Sequence, residues 1–386
     1  MKFKISISNK GLIIPTFNDI EDLKKEERHV YDDLLAQKDE IANFHENRLW
    51  EKYKKLTNEY ELIFTTCFNM PSICRRTPTS RSYFKHWEIL RDYEDIMKID
   101  SMSKMKCLFM AEGPGGFVQS FCDYRKDLVL NDELYGITYK NDADPTVPKW
   151  KLPENIIKGK YFKILEGVDG TGSLYTINNI KDFISKIGSH SCDYITADGG
   201  FDFSGNFNHQ ERASTRLIMA ETYTALQLLK SKGIFVIKIY DIFTRESKSI
   251  LHILDTSFEY VSVVKPCTSR PANSEKYVIC IGFRKAKSQH LNYLKNGILE
   301  EVSKPIISYS SSFEKKIIDV NISYMQQQKN YINMTLMYID KKSENMDLLK
   351  QQYNKALSWC DFYGMPISVK NKEFYMKKFS HHPRIF

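Results

Sequence analysis

The sequence predicts an α/β protein whose mostly parallel sheet is covered by helices on both faces and carries a helical segment at each end. Three observations lead there. Short apolar runs recur between residues 107 and 283; stretches between them space their apolar residues as helices do; and the composition turns strongly polar before residue 70 and after residue 284. Strands alternating with helices mean βαβ units, whose crossovers lay helices on both sides of a sheet. With 386 residues, 42% of them hydrophobic, the chain can bury the core of one large domain with appendages, which excludes global disorder.

Residues 1–70 form the first region. From Asp19 to about Tyr60 it is highly charged, and Leu49, Tyr53, Leu56 and Tyr60 recur at helical spacing, as in an amphipathic arm whose charges make a solvated face. The second region, 71–284, opens with the basic run CRRTPTSRSYFK. Its apolar runs predict strands over 107–111, 134–139, 193–198, 234–240, 260–264 and 276–283, with helices over 116–126, 180–187, 210–232 and 245–258. Gly233 is expected to cap the third helix. The last two strands are joined by a short Pro-containing loop and suggest an antiparallel hairpin at one edge. In the third region, 285–386, Leu348, Leu349, Tyr353, Ala356, Leu357 and Cys360 precede Gly364 at helical spacing. This region is expected to be a helical extension packed on the sheet domain or on a partner. No repeat of 20 to 50 residues is visible.

Lysine and arginine number 56 against 48 aspartates and glutamates, a net charge of +8 that suits a polyanionic partner. The eight cysteines, Cys67, Cys74, Cys107, Cys122, Cys192, Cys267, Cys280 and Cys360, include no C-x-x-C pair. That argues against a zinc site and a disulfide framework and for a reducing compartment. The N-terminal MKFKISISNKGLIIPTF lacks the apolar run of a secretory signal, and no stretch approaches the roughly 18 uninterrupted apolar residues of a membrane span. The expectation is a soluble, intracellular protein with no membrane association and no metal.

Five segments carry the chemistry. Glu112, Gly113, Pro114, Gly115, Gly116 and Phe117 directly follow a predicted strand and open a helix. Glycines there let backbone amides approach a ligand, and a helix N-terminus supplies partial positive charge. The pattern is neither G-x-G-x-x-G nor a Walker loop, and a plain strand-to-helix turn would need the same glycines. Thr196-Ala197-Asp198-Gly199-Gly200-Phe201 ends another strand, where open α/β sheets bind ligands, although a simple turn reads the same way. Lys238 lies inside the apolar run IFVIKIYD, and a buried ammonium needs a carboxylate beside it. Glu275 opens the final strand within SRPANSEKY, and Lys85 ends SRSYFK. Each lysine alone could be structural. In the order Lys, Asp, Lys, Glu, with the last three at strand ends or inside strands, the set points to catalysis.

These segments resemble the FtsJ-like ribose 2′-O-methyltransferases with a K-D-K-E tetrad, and most of all the messenger-RNA cap methyltransferases of eukaryotes and large cytoplasmic DNA viruses. The matching text is SRSYFK, GPGGF, VDGTG, ADGGF, IKIYDIFT and SRPANSEKYVIC, between about residues 75 and 284. The resemblance implies a Rossmann-like sheet, S-adenosyl-L-methionine as cofactor, capped RNA as substrate, and methyl transfer to the 2′-hydroxyl of the first transcribed nucleotide. It makes Lys85, Asp198, Lys238 and Glu275 the tetrad. It puts the cofactor on residues 112–117, Asp169 and Asp198. It implies a cytoplasmic location, in host cytoplasm or virion for a viral chain, with a nuclear one left open. Phe109 stands where many relatives have Asp, while an acid sits at Glu112 instead. The two terminal regions have no clear counterpart, so contacts with capping or transcription machinery and the oligomeric state stay open.

A ribose hydroxyl is a poor nucleophile and must lose its proton as it attacks a methyl group held in line. Lys238 is the candidate base: burial and the nearby Lys85 are expected to disfavour its charged form, with Asp198 and Glu275 orienting it. Arg75, Arg76 and Arg81 are expected to meet RNA phosphates, and Arg270, Asn273 and Ser274 of the last motif to complete the RNA contacts. A side chain at Gly115 or Gly116 is expected to push the cofactor off the backbone. A ribosomal-RNA 2′-O-methyltransferase and a catalytically silent RNA-binding scaffold are the alternatives, and an intact tetrad speaks against the second.

Overall fold

The computed structural model describes residues 3–5, 24–44, 49–66, 70–200, 210–300, 307–341 and 346–380. Cys67, Phe201 of the ADGGF motif and most of the N-terminal seventeen residues lie outside them. The strands are β1 (Phe3–Ile5), β2 (Lys106–Met110), β3 (Glu133–Ile137), β4 (Phe162–Ile164), β5 (Cys192–Ala197), β6 (Leu229–Ile239), β7 (Phe258–Val264) and β8 (Lys276–Phe283). They form one sheet in the order β1-β7-β8-β6-β5-β2-β3-β4. β6, β5, β2, β3 and β4 are parallel, while β8 runs antiparallel to β6 and β7, and β1 antiparallel to β7. From β2 the chain winds outward through β3 and β4, then returns to β5 on the other side of β2. The loops after β2 and β5 therefore diverge at a topological switch point, where open α/β sheets form their binding crevice.

The helices are α1 (Lys25–Ala42), α2 (Leu49–Leu56), α3 (Ser82–Asp92), α4 (Glu94–Met97), α5 (Gly116–Arg125), α6 (Glu154–Ile157), α7 (Ile177–Ile187), α8 (Gln210–Leu228), α9 (Arg245–Ser257), α10 (Ser288–Ile298), α11 (Ser311–Lys341), α12 (Met346–Phe362) and α13 (Val369–Ser380). Alternate strand residues divide between two cores, as the period of two requires. Cys107, Phe109, Tyr194, Val236, Tyr277 and Ile279 pack with Phe117 and Phe121 of α5 and Ile89 of α3. Leu108, Met110, Ile195, Phe235, Ile237, Val278 and Cys280 pack with residues of α7, α8, α9 and α10.

The mostly parallel, doubly covered sheet agrees with the sequence reading, and three details differ. β1 and β4 were not anticipated; β4 has three residues, two of them exposed, and so carries no apolar alternation. The helix expected to run to 232 ends at Leu228, because the amides of His190 and Ser191 take the carbonyls of Gln227 and Leu228 and Leu229 begins pairing with Cys192. Gly233 consequently lies within β6 and not at a helix cap. The arm's charges are also not all solvated: Glu27 and Lys38 of α1 are buried, against Asn321 and Lys248 and against Asp241 respectively. Among the described residues no helix is long and apolar enough to cross a membrane.

Candidate active site

The loop after β2 crosses from Ala111, at φ 52°, through a cis Gly113–Pro114 bond to Gly115, whose φ of 117° favours glycine. A Cβ on Gly115 would come within 2.5 Å of Leu152, and one on Gly116 would overlap Ser80 and Ser82. These glycines are thus required by packing against Leu152 and the start of α3. A side chain at either position would therefore meet these protein atoms whether or not a cofactor lies on the backbone. Gly113 N donates to Thr138 Oγ1 at 3.2 Å, and the VDGTG loop lies against the same residue, since a Cβ on Gly172 would overlap the Thr138 carbonyl. Both loops therefore meet at the C-terminal end of β3. Asp169 Oδ1 accepts Thr171 N, Thr171 Oγ1 and Asn179 Nδ2 at 2.9, 2.7 and 2.9 Å, so this oxygen shapes its own turn.

The tetrad is assembled by strand parity. Tyr194 and Thr196 of β5 lead to Asp198, Ile234 and Val236 of β6 to Lys238, and Ile279 and Tyr277 of β8 back to Glu275, all on the face that α3 and α5 cover. Lys238 Nζ donates to the Asp198 carbonyl at 2.6 Å and lies 3.1 Å from its Oδ1. Lys85 Nζ, from α3, sits 2.7 and 2.8 Å from the two oxygens of Glu275. Tyr277, paired with Lys238 across β6 and β8, donates its hydroxyl to Asp198 Oδ1 at 2.8 Å. Burial would raise the Glu275 carboxyl, but Lys85, then Lys238 and Lys265, hold it down at about 2.

Lys238 itself departs from expectation. Burial pushes its ammonium toward neutrality, but Asp198, Tyr240 and Glu275 outweigh burial and raise it above the ordinary lysine value. The resting residue is therefore a cation held chiefly by Asp198.

Three supporting residues escaped the sequence reading. Lys265 Nζ, on a partly buried side chain, donates to Asn273 Oδ1, Asn273 O and Glu275 O at 2.6, 2.8 and 2.8 Å and so ties down the loop that presents Glu275. Glu88, one turn after Lys85, accepts Cys267 N, Thr268 N and Trp359 Nε1 at 2.7, 2.8 and 3.0 Å and pins α3 to the start of that loop. Glu221 of α8 approaches Gly199 so closely that a Cβ there would overlap its Oε1. None has a local signature: a lysine after a strand and a glutamate on a helix both look like surface charges.

The FtsJ-like methyltransferase family model matches residues 78–283, which include both glycine loops and all four tetrad positions. The chain belongs to the FtsJ-like methyltransferase family. Among curated proteins, this methyltransferase is 32% identical over 234 residues to the cap-specific mRNA (nucleoside-2′-O-)-methyltransferase of Autographa californica nuclear polyhedrosis virus, covering 60% of this chain and 81% of that one. It is 29% identical over 257 residues to the cap-specific mRNA (nucleoside-2′-O-)-methyltransferase 1 of Trypanosoma cruzi, covering 63% and 69%. Against the protein so named in Xenopus laevis it is 34% identical over 189 residues, covering 48% of this chain but 22% of the relative.

The residues of this methyltransferase expected on RNA are largely engaged internally. Arg81 is corrected: its guanidinium donates to the carbonyls of Phe64, Thr268 and Tyr60 at 2.7, 3.1 and 3.4 Å and faces Glu61, which makes it a brace of the fold. Ser274 is corrected too, being buried with its hydroxyl 2.6 Å from Gln210 Oε1. Arg76 forks onto Asp123 at 2.6 and 2.7 Å, while Arg75 is exposed. Arg270 bonds Glu61 at 2.9 and 3.1 Å, and Asn273 gives its side-chain oxygen to Lys265.

Proposed function

We propose that this chain transfers a methyl group from S-adenosyl-L-methionine to the ribose 2′-hydroxyl of the first transcribed nucleotide of capped mRNA. The observation that carries the reading is the convergence of Lys85, Asp198, Lys238 and Glu275, as two ion pairs, on one sheet face beside the switch point. The names of the related proteins supply the cap.

The cofactor is assigned to the crevice between the loops after β2, β3 and β5, with Gly113, Pro114, Gly115, Gly116 and Phe117 on one side and Asp169 and Asp198 on the others. Glu112 fits this assignment. It lies 2% exposed at the strand ends, with Oε1 on Thr196 at 2.7 Å and Oε2 buried without a hydrogen-bond partner among the described residues. Burial and then Asp198 push its carboxyl well above the usual range, so a cationic donor beside it would restore its charge. The ammonium of the cofactor is such a donor. When bound, S-adenosyl-L-methionine supplies an electrophilic methyl group and a positive charge.

The residues then divide the work. Asp198 and Tyr277 fix the position of Lys238 Nζ, and Lys85 with Glu275 fixes the opposite wall. Lys238 receives the ribose proton as the hydroxyl oxygen attacks, and it must first release the proton its carboxylates hold there. Turnover should accordingly rise with pH. Arginine at 238 keeps the charge but cannot act as a base. Methyl transfer to short capped and uncapped RNA tests the reading. We expect transfer to capped RNA by the wild type and less than about 1% of it by Lys238→Arg, with cofactor affinity retained. Activity of Lys238→Arg within tenfold of wild type, about 1.4 kcal/mol in barrier, would refute Lys238 as the base. Equal methylation of uncapped RNA would refute the cap.

A further inference from the structure

A small cavity of about 80 Å³ lies where the N-terminal arm meets the SRPANSE loop. Its walls are Lys38 and Ile41 of α1, Trp50 and Lys54 of α2, Gln210, Arg270, Ala272, Asn273, and Gln328 of α11. Among the described residues three cations and three amides line it, and no carboxylate does. Gln210 and Asn273 give their amide oxygens to Ser274 and Lys265, so the end each has left is a donor. The acids that balance the cations, Asp241 behind Lys38, Glu61 behind Arg270 and Glu51 beside Lys54, all stand outside the lining. Gln328 donates to the Ala272 carbonyl and so has its amide oxygen left; apart from that acceptor the described wall is built of positive charge and donors, with like charges close enough to interact. Burial lowers the Lys54 ammonium, Glu51 opposes this, and Arg270 lowers it further. An anion in the cavity would relieve that repulsion.

We propose that this cavity is a subsite for one phosphate group of the RNA substrate. The proposal rests on the RNA methyltransferase reading and extends it to the N-terminal arm. Its volume admits a phosphate. Its position suits the reacting nucleotide: Asn273 in the wall is two residues before Glu275 of the tetrad, a distance of at most about 7 Å along the chain and close to that between a 2′-hydroxyl and a neighbouring phosphate. A phosphate held there would set the ribose in register with Lys238. The group could belong to the triphosphate bridge of the cap or to the linkage after the first nucleotide, and RNA length tells these apart.

Lys54 is the residue to change. Its partner Glu51 is about half exposed, so removing Lys54 leaves no buried charge alone, and Lys54 belongs to neither the tetrad nor the cofactor loops. Binding of the full chain to a capped ten-nucleotide RNA, and to a cap analogue lacking any internucleotide phosphate, is measured by fluorescence anisotropy over a range of salt. We expect Lys54→Gln to weaken the capped RNA about tenfold and to reduce the salt slope by about one, and Lys54→Arg to restore both. Cofactor affinity and unfolding temperature should not change. Weakening of the cap analogue as well assigns the phosphate to the bridge; weakening of the longer RNA alone assigns it to the internucleotide linkage. Unchanged affinity and slope for both ligands would overturn the subsite, and continued methylation of capped RNA by the wild type would then leave the enzymatic reading standing. A wild type that binds neither ligand overturns both.

Discussion

Four carboxylates bear on Lys238, and they divide by charge. Glu275 is held ionised by its lysines, whereas Glu221 and Glu112 are so enclosed that burial favours their neutral forms. Burial, with Asp198 adding and Lys238 and the Gly199 amide opposing, pushes the Glu221 carboxyl up to about 8 from an ordinary 4.5. Between those two values the folded chain holds a proton that the unfolded chain has released. Stability therefore falls as pH rises through this window, by up to about 1.4 kcal/mol per pH unit for the one proton, and no longer changes on this account beyond it. Glu88, pushed to about 7 by burial, contributes in the same direction. Glu221→Gln keeps the shape and removes one of these protons. Urea unfolding at pH 5 and pH 8 should show the variant gaining on wild type at the higher pH; an unchanged difference would mean that Glu221 is already ionised in the fold. Lys238 stood out in the sequence because a charge inside an apolar strand contradicts its surroundings, whereas Lys85, on a helix, was named through the resemblance. Glu221 did not announce itself, since its burial is created by elements distant in sequence.

At the scale of the element, α3 must be fixed in both position and rotation for Lys85 to reach Glu275. Its apolar residues Phe84, Ile89 and Leu90 bury one side, and His86 Nε2 meets the Tyr194 hydroxyl at 2.7 Å. Glu88 then ties the helix to the loop before Glu275 through the Cys267 and Thr268 amides, and to α12 through the Trp359 indole. Glu88→Ala would leave the Cys267 and Thr268 amides and the Trp359 indole without that partner. At about 1 to 3 kcal/mol for each buried donor left unmet, the variant should lose about 3 kcal/mol or more of stability. Its methyl transfer should fall further than its cofactor affinity, because α3 carries Lys85. Equilibrium unfolding and turnover at saturating cofactor check the two halves. A stability loss with unchanged turnover would make Glu88 a brace and nothing more. The elements themselves were legible where apolar runs were long, as in β6 and β8, and illegible where a boundary was set from outside. The end of α8 is decided by the amides of His190 and Ser191, which no window around Leu228 contains.

At the scale of the whole molecule the two ends of the chain pack against each other. Tyr31, Leu34 and Ile41 of α1, with Trp50 and Tyr53 of α2, pack on Met325, Ile332, Leu336 and Ile339 of α11 and on Phe243 just before α9. Polar contacts repeat the pattern: Thr57 meets Thr335 at 2.8 Å, and Gln352 of α12 donates to the carbonyls of Lys55, Leu56 and Asn58, each at 2.8 Å. Gln328 of α11 reaches the Ala272 carbonyl at 3.0 Å, so this packing continues into the SRPANSE loop. The sequence showed that both ends were helical but not that they meet, because an apolar stripe records that a face is buried and not against what. The arrangement has a mechanical consequence. Ile332 is fully buried at the centre of the α1–α2–α11 cluster, far in sequence from every residue assigned to the cofactor. Ile332→Ala should cost about 2 to 4 kcal/mol through the cavity it leaves. Because α1 and α2 carry Lys38, Trp50 and Lys54, the slackened cluster should weaken capped-RNA binding severalfold. Gly115 and Gly116 of the loop after β2 pack against Leu152 and the start of α3, so cofactor affinity should stay within about twofold of wild type. Calorimetry with cofactor and anisotropy with capped RNA, both below the unfolding transition, separate the two. Equal loss of both affinities would mean that the joined ends support the whole sheet and not the RNA face in particular.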